Sequence, residues 1–86
     1  MSYSIRIKKS AVKELARIPS NDRVRVIRAI DHLKDHPHSG GSLKGEYRGI
    51  RRIRVGDYRV LYEVCDEDLI ILVIRAATRE EAYRGR

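Results

Sequence analysis

One turn in the second half of the chain constrains the fold most strongly. Two runs of strand-forming residues, Ile50 to Val55 and Tyr58 to Cys65, are separated by Gly56-Asp57. Glycine followed by aspartate is typical of a two-residue type II′ hairpin turn, in which the glycine takes the positive φ. Because a two-residue loop fixes which residues face each other, the register of this hairpin can be predicted from the sequence.

The predicted register gives the hairpin two chemically different faces, because side chains alternate along a strand. The expected cross-strand pairs are Val55 with Tyr58, Arg54 with Arg59, Ile53 with Val60, and Arg52 with Leu61. One face is apolar and suits cover by helices; it comprises Ile53, Val55, Tyr58, Val60 and Tyr62. The other face carries three arginines, Arg52, Arg54 and Arg59. We refer to it as the arginine face.

The first half of the chain predicts one strand and two helices. Residues 3–8 alternate apolar and polar side chains, which is typical of a half-buried strand. Residues 10–36 predict a helical hairpin, with Ser10 as its first N-cap, a break at Ile18-Pro19 and a stop at Pro37. The positions expected to face a sheet are Val12, Leu15 and Ala16 in the first helix and Val26, Ile27, Ile30 and Leu33 in the second.

The remaining segments complete a small α+β fold. Gly40-Gly41 predicts a loop, the apolar run 69–74 predicts a strand covered on both faces, and residues 79–83 predict a helical turn. We therefore expect one domain over residues 1–86. It has an N-terminal strand, a helical hairpin packed on one face of a mainly antiparallel four-stranded sheet, and a short C-terminal helical tail. A chain of 86 residues builds only a small core, so any active site should be an open groove.

The arginine face contains a like-charge pair, since Arg54 is expected directly opposite Arg59. Such a pair costs stability in a sheet, and two explanations remain open. In the structural one, both guanidinium groups extend into solvent, or Glu63 on the same face pairs with one of them. In the functional one, the face is a groove for phosphates, and the repulsion is relieved when the anion binds.

The charge balance favours a polyanionic partner. The chain carries 19 Lys and Arg against 12 Asp and Glu, a formal net charge of +7, and fourteen of its basic residues are arginine. The planar guanidinium of arginine suits bidentate contacts with phosphate. Further basic residues are candidates for the rim of the groove: Lys44, Arg48 and Arg79.

Other classes of site and compartment have little support in the sequence. His32, His36 and His38 lie near the end of the second predicted helix with no cysteine beside them, so we predict no metal site and no cofactor. Cys65 is the only cysteine, which excludes an intrachain disulfide and fits a reducing compartment. No stretch reaches the roughly 18 apolar residues of a membrane span. We therefore expect a soluble, cytoplasmic protein.

The segment around the hairpin resembles the central signature of the RelE/ParE toxins. The matching residues are Leu43-Lys44-Gly45 and Gly49-Ile50-Arg51-Arg52-Ile53-Arg54-Val55-Gly56-Asp57-Tyr58-Arg59-Val60-Leu61-Tyr62. The ending Arg79-Glu80-Glu81-Ala82-Tyr83 is similar to the family's Arg-x-x-x-Tyr tail. The order of predicted elements also matches, so the resemblance covers nearly the whole chain.

The resemblance implies the toxin of a type II toxin–antitoxin system, a compact α+β protein that enters the ribosomal A site and cleaves mRNA. It implies no metal, because the 2′-hydroxyl of the message attacks the adjacent phosphate. By motif position, Arg59 would bind the scissile phosphate, Arg79 would stabilise the transition state, and Tyr83 would transfer a proton or stack on a base. The family's basic strand and loop positions are matched by Arg52, Arg54 and Lys44.

The resemblance also implies partners. These are an acidic, RelB-like antitoxin that wraps the toxin, in a complex that can be oligomeric, together with the ribosome and its mRNA. The location would be the cytoplasm, with no membrane involved.

Two departures from the family pattern keep other functions open. Ala77-Thr78 stands where many relatives have glycine followed by histidine or a basic residue, and Ile50 stands where some active members carry lysine. The first alternative is a ParE-like toxin that binds and poisons DNA gyrase without nuclease chemistry. The second is a passive RNA- or ribosome-binding module, which would need the basic groove but no tyrosine at position 83.

Overall fold

The computed structural model describes residues 2–84, which form an α+β fold with two helices packed on one face of a five-stranded sheet. The elements are β1 (Ser4–Ile7), α1 (Lys9–Arg17), α2 (Ser20–His32), β2 (Gly41–Ser42), β3 (Arg51–Val55), β4 (Tyr58–Cys65), β5 (Ile70–Thr78) and α3 (Arg79–Ala82). The strand order is β1-β5-β4-β3-β2, with β1 parallel to β5 and the other neighbours antiparallel. The helices described over residues 2–84 include none with the length and apolar character to cross a bilayer.

The hairpin of β3 and β4 has the predicted register. The pairs run from Val55 with Tyr58 through Arg54 with Arg59 to Arg51 with Tyr62. Gly56 has a φ of 59°, and Leu69 is the only non-glycine residue with positive φ among those described. Asp57 therefore has a negative φ, as the type II′ turn requires.

The expectation of four strands is wrong by one, because Gly41–Ser42 adds the short strand β2 beside β3. A glycine and a serine show no strand pattern in the sequence, and tertiary contacts place them. The buried hydroxyl of Tyr62 donates to the Pro37 carbonyl at 2.8 Å and accepts from the Gly40 amide at 3.0 Å. A Cβ at Gly40 would lie 2.6 Å from that hydroxyl, so this close approach requires glycine.

The predicted helical hairpin is present, with shifted ends. Helix α1 begins at Lys9, one residue before the predicted cap, and its N-cap Lys8 makes no side-chain capping bond. It ends at Arg17, as Ile18-Pro19 predicts. Helix α2 ends at His32, well before Pro37. From Leu33 to Asp35 each amide donates to the carbonyl three residues earlier, so the chain continues there in tight turns and not as an α-helix.

The buried side of each helix differs partly from the prediction. In α1 the buried residues are Ala11 and Leu15, and Ile18 is buried just after the helix ends, whereas Val12 is 50% exposed. Ala11, Leu15 and Ile18 are spaced by four and three residues and form the side facing the sheet. Of the predicted positions, Leu15 is therefore confirmed, whereas Val12 and Ala16 are wrong, since both are exposed. The predicted α2 positions Val26, Ile30 and Leu33 are buried, but Ile27 is 48% exposed.

Apolar side chains pack on both faces of the sheet. The larger cluster lies between the helices and the sheet and includes Val60, Tyr62, Ile71 and Val73. A smaller cluster on the other face is built from Ile50, Leu61 and Ala82, with Leu43, Tyr47, Ile74 and Tyr83 packed against it. Strand β5 is therefore apolar on both faces, as its uninterrupted run predicts.

Strand β5 contains an extra residue close to the point where its pairing with β1 ends. Leu61 pairs with Arg75 but Tyr62 pairs with Val73, so Ile74 is an extra residue in the ladder. Strand β1 pairs with β5 only as far as Val73. Beyond that point Glu14 of α1 replaces it: one carboxylate oxygen accepts from the Ala76 amide at 3.0 Å, and the other accepts from Arg75 at 2.9 and 3.0 Å.

Candidate nucleic-acid interface

The arginine face forms as the register predicts, on the side of the sheet away from α1 and α2. The apolar residues of the opposite face all belong to the larger cluster. Arg54 of β3 lies directly across from Arg59 of β4, and Arg52 lies across from Leu61. Arg54 is exposed, while Arg52 and Arg59 are half-buried.

These arginines have no carboxylate partner within residues 2–84. The ion pairs in that part of the chain are Arg25–Asp22, Lys34–Asp31, Arg75–Glu14 and His38–Asp66. Glu63 is not among them, so it does not pair with Arg54 or Arg59. The Arg59 guanidinium donates instead to the carbonyls of Gly56 and Tyr58, each at 3.1 Å. Carbonyls orient a guanidinium without cancelling its charge, so the face keeps its positive charge for an anion.

The C-terminal tail brings a phenol onto this face. Thr78 caps α3, because its hydroxyl oxygen accepts from the Glu81 amide at 3.4 Å and donates to the Glu81 carboxylate at 3.0 Å. The helix then packs Ala82 into the smaller cluster. Tyr83 follows, and its hydroxyl accepts a hydrogen bond from Arg52 at 3.1 Å.

The other predicted site residues surround this contact. Arg79 is exposed at the start of α3, and its amide donates to the Asp57 carbonyl at 3.1 Å. Arg79 and Arg59 are thus both anchored at the Gly56-Asp57 turn. Lys44 and Arg48 are exposed on either side of the short 3₁₀ turn Gly45–Tyr47. The structure brings Arg52 to Tyr83 and Arg54 to Arg59, places Arg79 at the adjoining turn, and leaves Lys44 and Arg48 at the periphery.

Two residues of this region were missed from the sequence. Tyr47 precedes the hairpin and is not among the predicted site residues. Its hydroxyl donates to the Tyr83 carbonyl at 2.8 Å, and the two rings meet edge to face with centroids 5.5 Å apart. Arg75 donates to the Arg84 carbonyl at 2.6 Å. The spacing of Leu43, Tyr47 and Ile50 indicates an apolar side, but nothing local to Tyr47 predicts a contact 36 residues away.

A separate groove of about 550 Å³ lies between α1, the end of β5 and α3. Its lining includes Glu14 and Glu81 as well as Arg17 and Arg84. Because the two signs of charge are mixed there, the arginine face is the stronger candidate for an anion site.

Comparison with known proteins assigns the family. Residues 5–83 match the family model described as the ParE toxin of type II toxin–antitoxin system, parDE. The chain is 30% identical over 90 residues to the putative toxin RelE1 of Methanocaldococcus jannaschii, a match that covers 99% of both chains.

Solved structures agree with this assignment. The toxin–antitoxin complex RelBE2 of Mycobacterium tuberculosis contains a chain that superposes with a TM-score of 0.85 at 27% identity, covering 92% of this chain and 100% of that one. The archaeal RelE–RelB complex of Pyrococcus horikoshii gives a TM-score of 0.75 at 32% identity, covering 92% and 97%. The chain therefore belongs to the RelE/ParE superfamily and is a RelE-type toxin of a toxin–antitoxin system.

Proposed function

We propose that residues 1–86 act as one RelE-like toxin domain, a ribosome-dependent endoribonuclease that cleaves mRNA in the A site and inhibits translation. The observation that carries the proposal is the contact between the Tyr83 hydroxyl and Arg52 on the arginine face. A phosphate-binding surface needs only the arginines. A phenol hydrogen-bonded to one of these guanidinium groups adds a group that can move a proton.

The proposed reaction uses the substrate's own nucleophile and no metal ion. The 2′-hydroxyl oxygen attacks the adjacent phosphorus, the bond from phosphorus to the 5′-oxygen breaks, and a 2′,3′-cyclic phosphate and a 5′-hydroxyl result. One proton passes from the 2′-hydroxyl to a water molecule, and one is delivered to the 5′-oxygen. Only RNA carries the required hydroxyl, so the substrate is RNA and not DNA.

The site residues have distinct roles in this proposal. Arg59 binds a non-bridging oxygen of the scissile phosphate, and Arg79 stabilises the charge that develops on it. Preorganised donors of this kind contribute several kcal/mol, roughly 3 to 4 for one donor, where water is excluded. Flanking phosphates are bound by Arg52, Arg54, Lys44 and Arg48.

The hydrogen bond from Arg52 favours Tyr83 as the proton donor of the reaction. Arg52 donates to the phenolic oxygen, so the phenolic O–H is left to point toward the substrate. When that proton passes to the departing 5′-oxygen, the same guanidinium stabilises the phenolate that remains. We therefore assign Tyr83 as the general acid.

Poisoning of DNA gyrase is the alternative, favoured by the match to the ParE family model. Toe-printing on translated mRNA, set against a gyrase cleavage assay with the same preparation, separates the two. We expect new mRNA ends at A-site codons and no trapped gyrase–DNA complex. Trapped complexes without new mRNA ends would contradict the nuclease proposal and support gyrase poisoning. Ribosome binding with neither product would indicate a passive binding module.

We further propose an acidic, RelB-like antitoxin as the partner in the cytoplasm, in a complex that can hold several copies of each chain. The formal charge of +7 and the unpaired arginines suit an acidic chain that folds onto the toxin. The structures from Mycobacterium tuberculosis and Pyrococcus horikoshii are themselves toxin–antitoxin complexes. A pull-down from the native host should recover a small acidic protein in stoichiometric amount. Recovery of this chain alone at physiological salt, with no toxicity on overexpression, would contradict the toxin assignment.

A further inference from the structure

The C-terminal tail is held at two consecutive backbone carbonyls. The Tyr47 hydroxyl donates to the Tyr83 carbonyl at 2.8 Å, and the Arg75 guanidinium donates to the Arg84 carbonyl at 2.6 Å. The donors come from separate elements, the 3₁₀ turn before β3 and strand β5. The end of the tail is thus bonded to the body of the protein from two directions.

The tail depends on such contacts because it is too short to be stable alone. Helix α3 has four residues, far fewer than the roughly 12 to 15 that an isolated helix needs in water. Its near end is fixed by the Thr78 cap and by the bond from the Arg79 amide to Asp57. Its far end is secured by the burial of Ala82 and by the two carbonyl contacts.

Arg75 is itself held in place for this contact. Its Nε and Nη2 atoms lie 3.0 and 2.9 Å from one carboxylate oxygen of Glu14, which leaves Nη1 for the Arg84 carbonyl. Both side chains of the ion pair are mostly buried, with 25% and 19% exposure. Helix α1 therefore orients the guanidinium that docks the tail.

We propose that Tyr47 and Arg75 form a two-point clamp that docks the end of the tail and positions the Tyr83 phenol on the arginine face. Both are positioning residues, since each acts through a backbone carbonyl of the tail and not on the phosphate. The clamp acts on Tyr83 and not on Arg79, whose amide has its own partner at Asp57. The positioning part of this proposal rests on the proposed nuclease function, whereas the docking part does not.

Amide hydrogen exchange of residues 80–84 tests the docking part in the intact protein. Tyr47→Phe keeps the ring and removes one donor, and Arg75→Lys keeps the charge facing Glu14 and removes the fork. Each variant should raise tail exchange about two- to tenfold, and the double variant about tenfold or more.

The matched controls are Tyr3→Phe and Arg23→Lys, which remove a phenol bond to Asp66 and an arginine bond to the Ile18 carbonyl. Neither should change exchange in the tail. Unchanged tail exchange in the double clamp variant overturns the proposal, whatever the protein's activity.

A cycle with Tyr83→Phe tests the positioning part. In the parent background the double clamp variant should lower kcat for ribosome-bound mRNA about tenfold and leave KM within about twofold. In the Tyr83→Phe background it should cause little further loss, because the clamp acts through the phenol. Additive losses, or a looser tail with unchanged kcat, overturn the positioning role. If the parent itself does not cleave mRNA, the nuclease function and the positioning role fail together. The docking part of the proposal is then tested by amide exchange in the tail alone.

Discussion

At the scale of single residues, the arginine face places like charges together at a cost in stability that the proposed phosphate binding would offset. Arg54 and Arg59 occupy directly opposed positions in a sheet, where like charges are destabilising. No carboxylate within residues 2–84 relieves the repulsion by an ion pair. A bound phosphate would relieve it, so both properties can be measured on the same variants.

Replacing one face arginine by alanine should weaken RNA binding and flatten its salt dependence. For a single-stranded target, the slope of log affinity against log salt should fall by about 0.7 for each lost phosphate contact. Titrations of Arg52→Ala, Arg54→Ala and Arg59→Ala at several salt concentrations measure this. Slopes equal to that of the parent in all three would identify the guanidinium groups as solvated surface.

The same Arg54→Ala variant should unfold at a slightly higher denaturant concentration than the parent. Removing a directly opposed like charge in a sheet gains about 0.2 to 1 kcal/mol. Arg28→Ala, on an exposed position of α2, is the control and should stay within about 0.5 kcal/mol of the parent. A variant that binds RNA more weakly and is also less stable would show that Arg54 supports the fold.

At this scale the sequence predicts contacts that local geometry determines, and it does not predict contacts that depend on where the C-terminal tail packs. The two-residue turn at Gly56-Asp57 determines which arginines share a face, and that much was predictable. Tyr47 and Arg75 meet the tail through a helical turn whose direction depends on packing of Ala82. Their contacts with the tail are therefore visible only in the structure.

At the scale of elements, the segment before β3 shows how a buried hydroxyl shapes a loop. Tyr62 is fully buried and bonds to Pro37 and Gly40, which leads the chain into β2. Neither Gly41 nor Ser42 favours a strand by its own propensity. The fifth strand was unpredictable for this reason, whereas the alternating and continuously apolar patterns of the longer strands predicted them.

Tyr62→Phe should destabilise the protein by about 1 to 3 kcal/mol, because it leaves the buried Gly40 amide and the partly buried Pro37 carbonyl without this partner. Amide exchange should rise at residues 40–42 in particular. Tyr58→Phe is the matched control, since its hydroxyl has no hydrogen bond among residues 2–84, and it should stay near the parent. Equal unfolding free energies for parent and Tyr62→Phe would show that these bonds do not hold the loop.

The turn between β4 and β5 is tied to the chain's start and should give an acid-dependent stability. The Tyr3 hydroxyl donates to the Asp66 carboxylate at 2.6 Å and His38 lies 3.3 Å away, so the pKa of Asp66 is lowered from its ordinary value of 3.8. The stabilisation is therefore complete above the ordinary value and is lost as pH falls through the lowered one. Asp66→Asn should reduce the melting temperature at pH 5 to 7, roughly the plateau of this effect, and the difference should shrink below about pH 4.

Asp68→Asn, an exposed position in the same turn, is the control. A difference between parent and Asp66→Asn that stays constant down to about pH 2 would contradict the titration of Asp66 as its cause.

At the scale of the whole molecule, the two faces of the sheet differ in how they are covered. One face is buried under α1 and α2 and supplies most of the core. The other is only partly covered, by the tail and the turn around Tyr47, and its arginines stay accessible. The smaller cluster beneath the tail brings the Tyr83 phenol to Arg52 without burying the charges of the arginine face.

Single-turnover cleavage of ribosome-bound mRNA by the parent and by Tyr83→Phe tests the central claim most directly. The substitution removes one oxygen and keeps the ring, so ribosome binding should stay near that of the parent. The cleavage rate should fall by roughly 10²-fold or more, the usual contribution of a general acid or base. A Phe variant that cuts as fast as the parent, while Arg79→Ala does not, would contradict a chemical role for the phenol and leave Tyr83 as a stacking or packing residue.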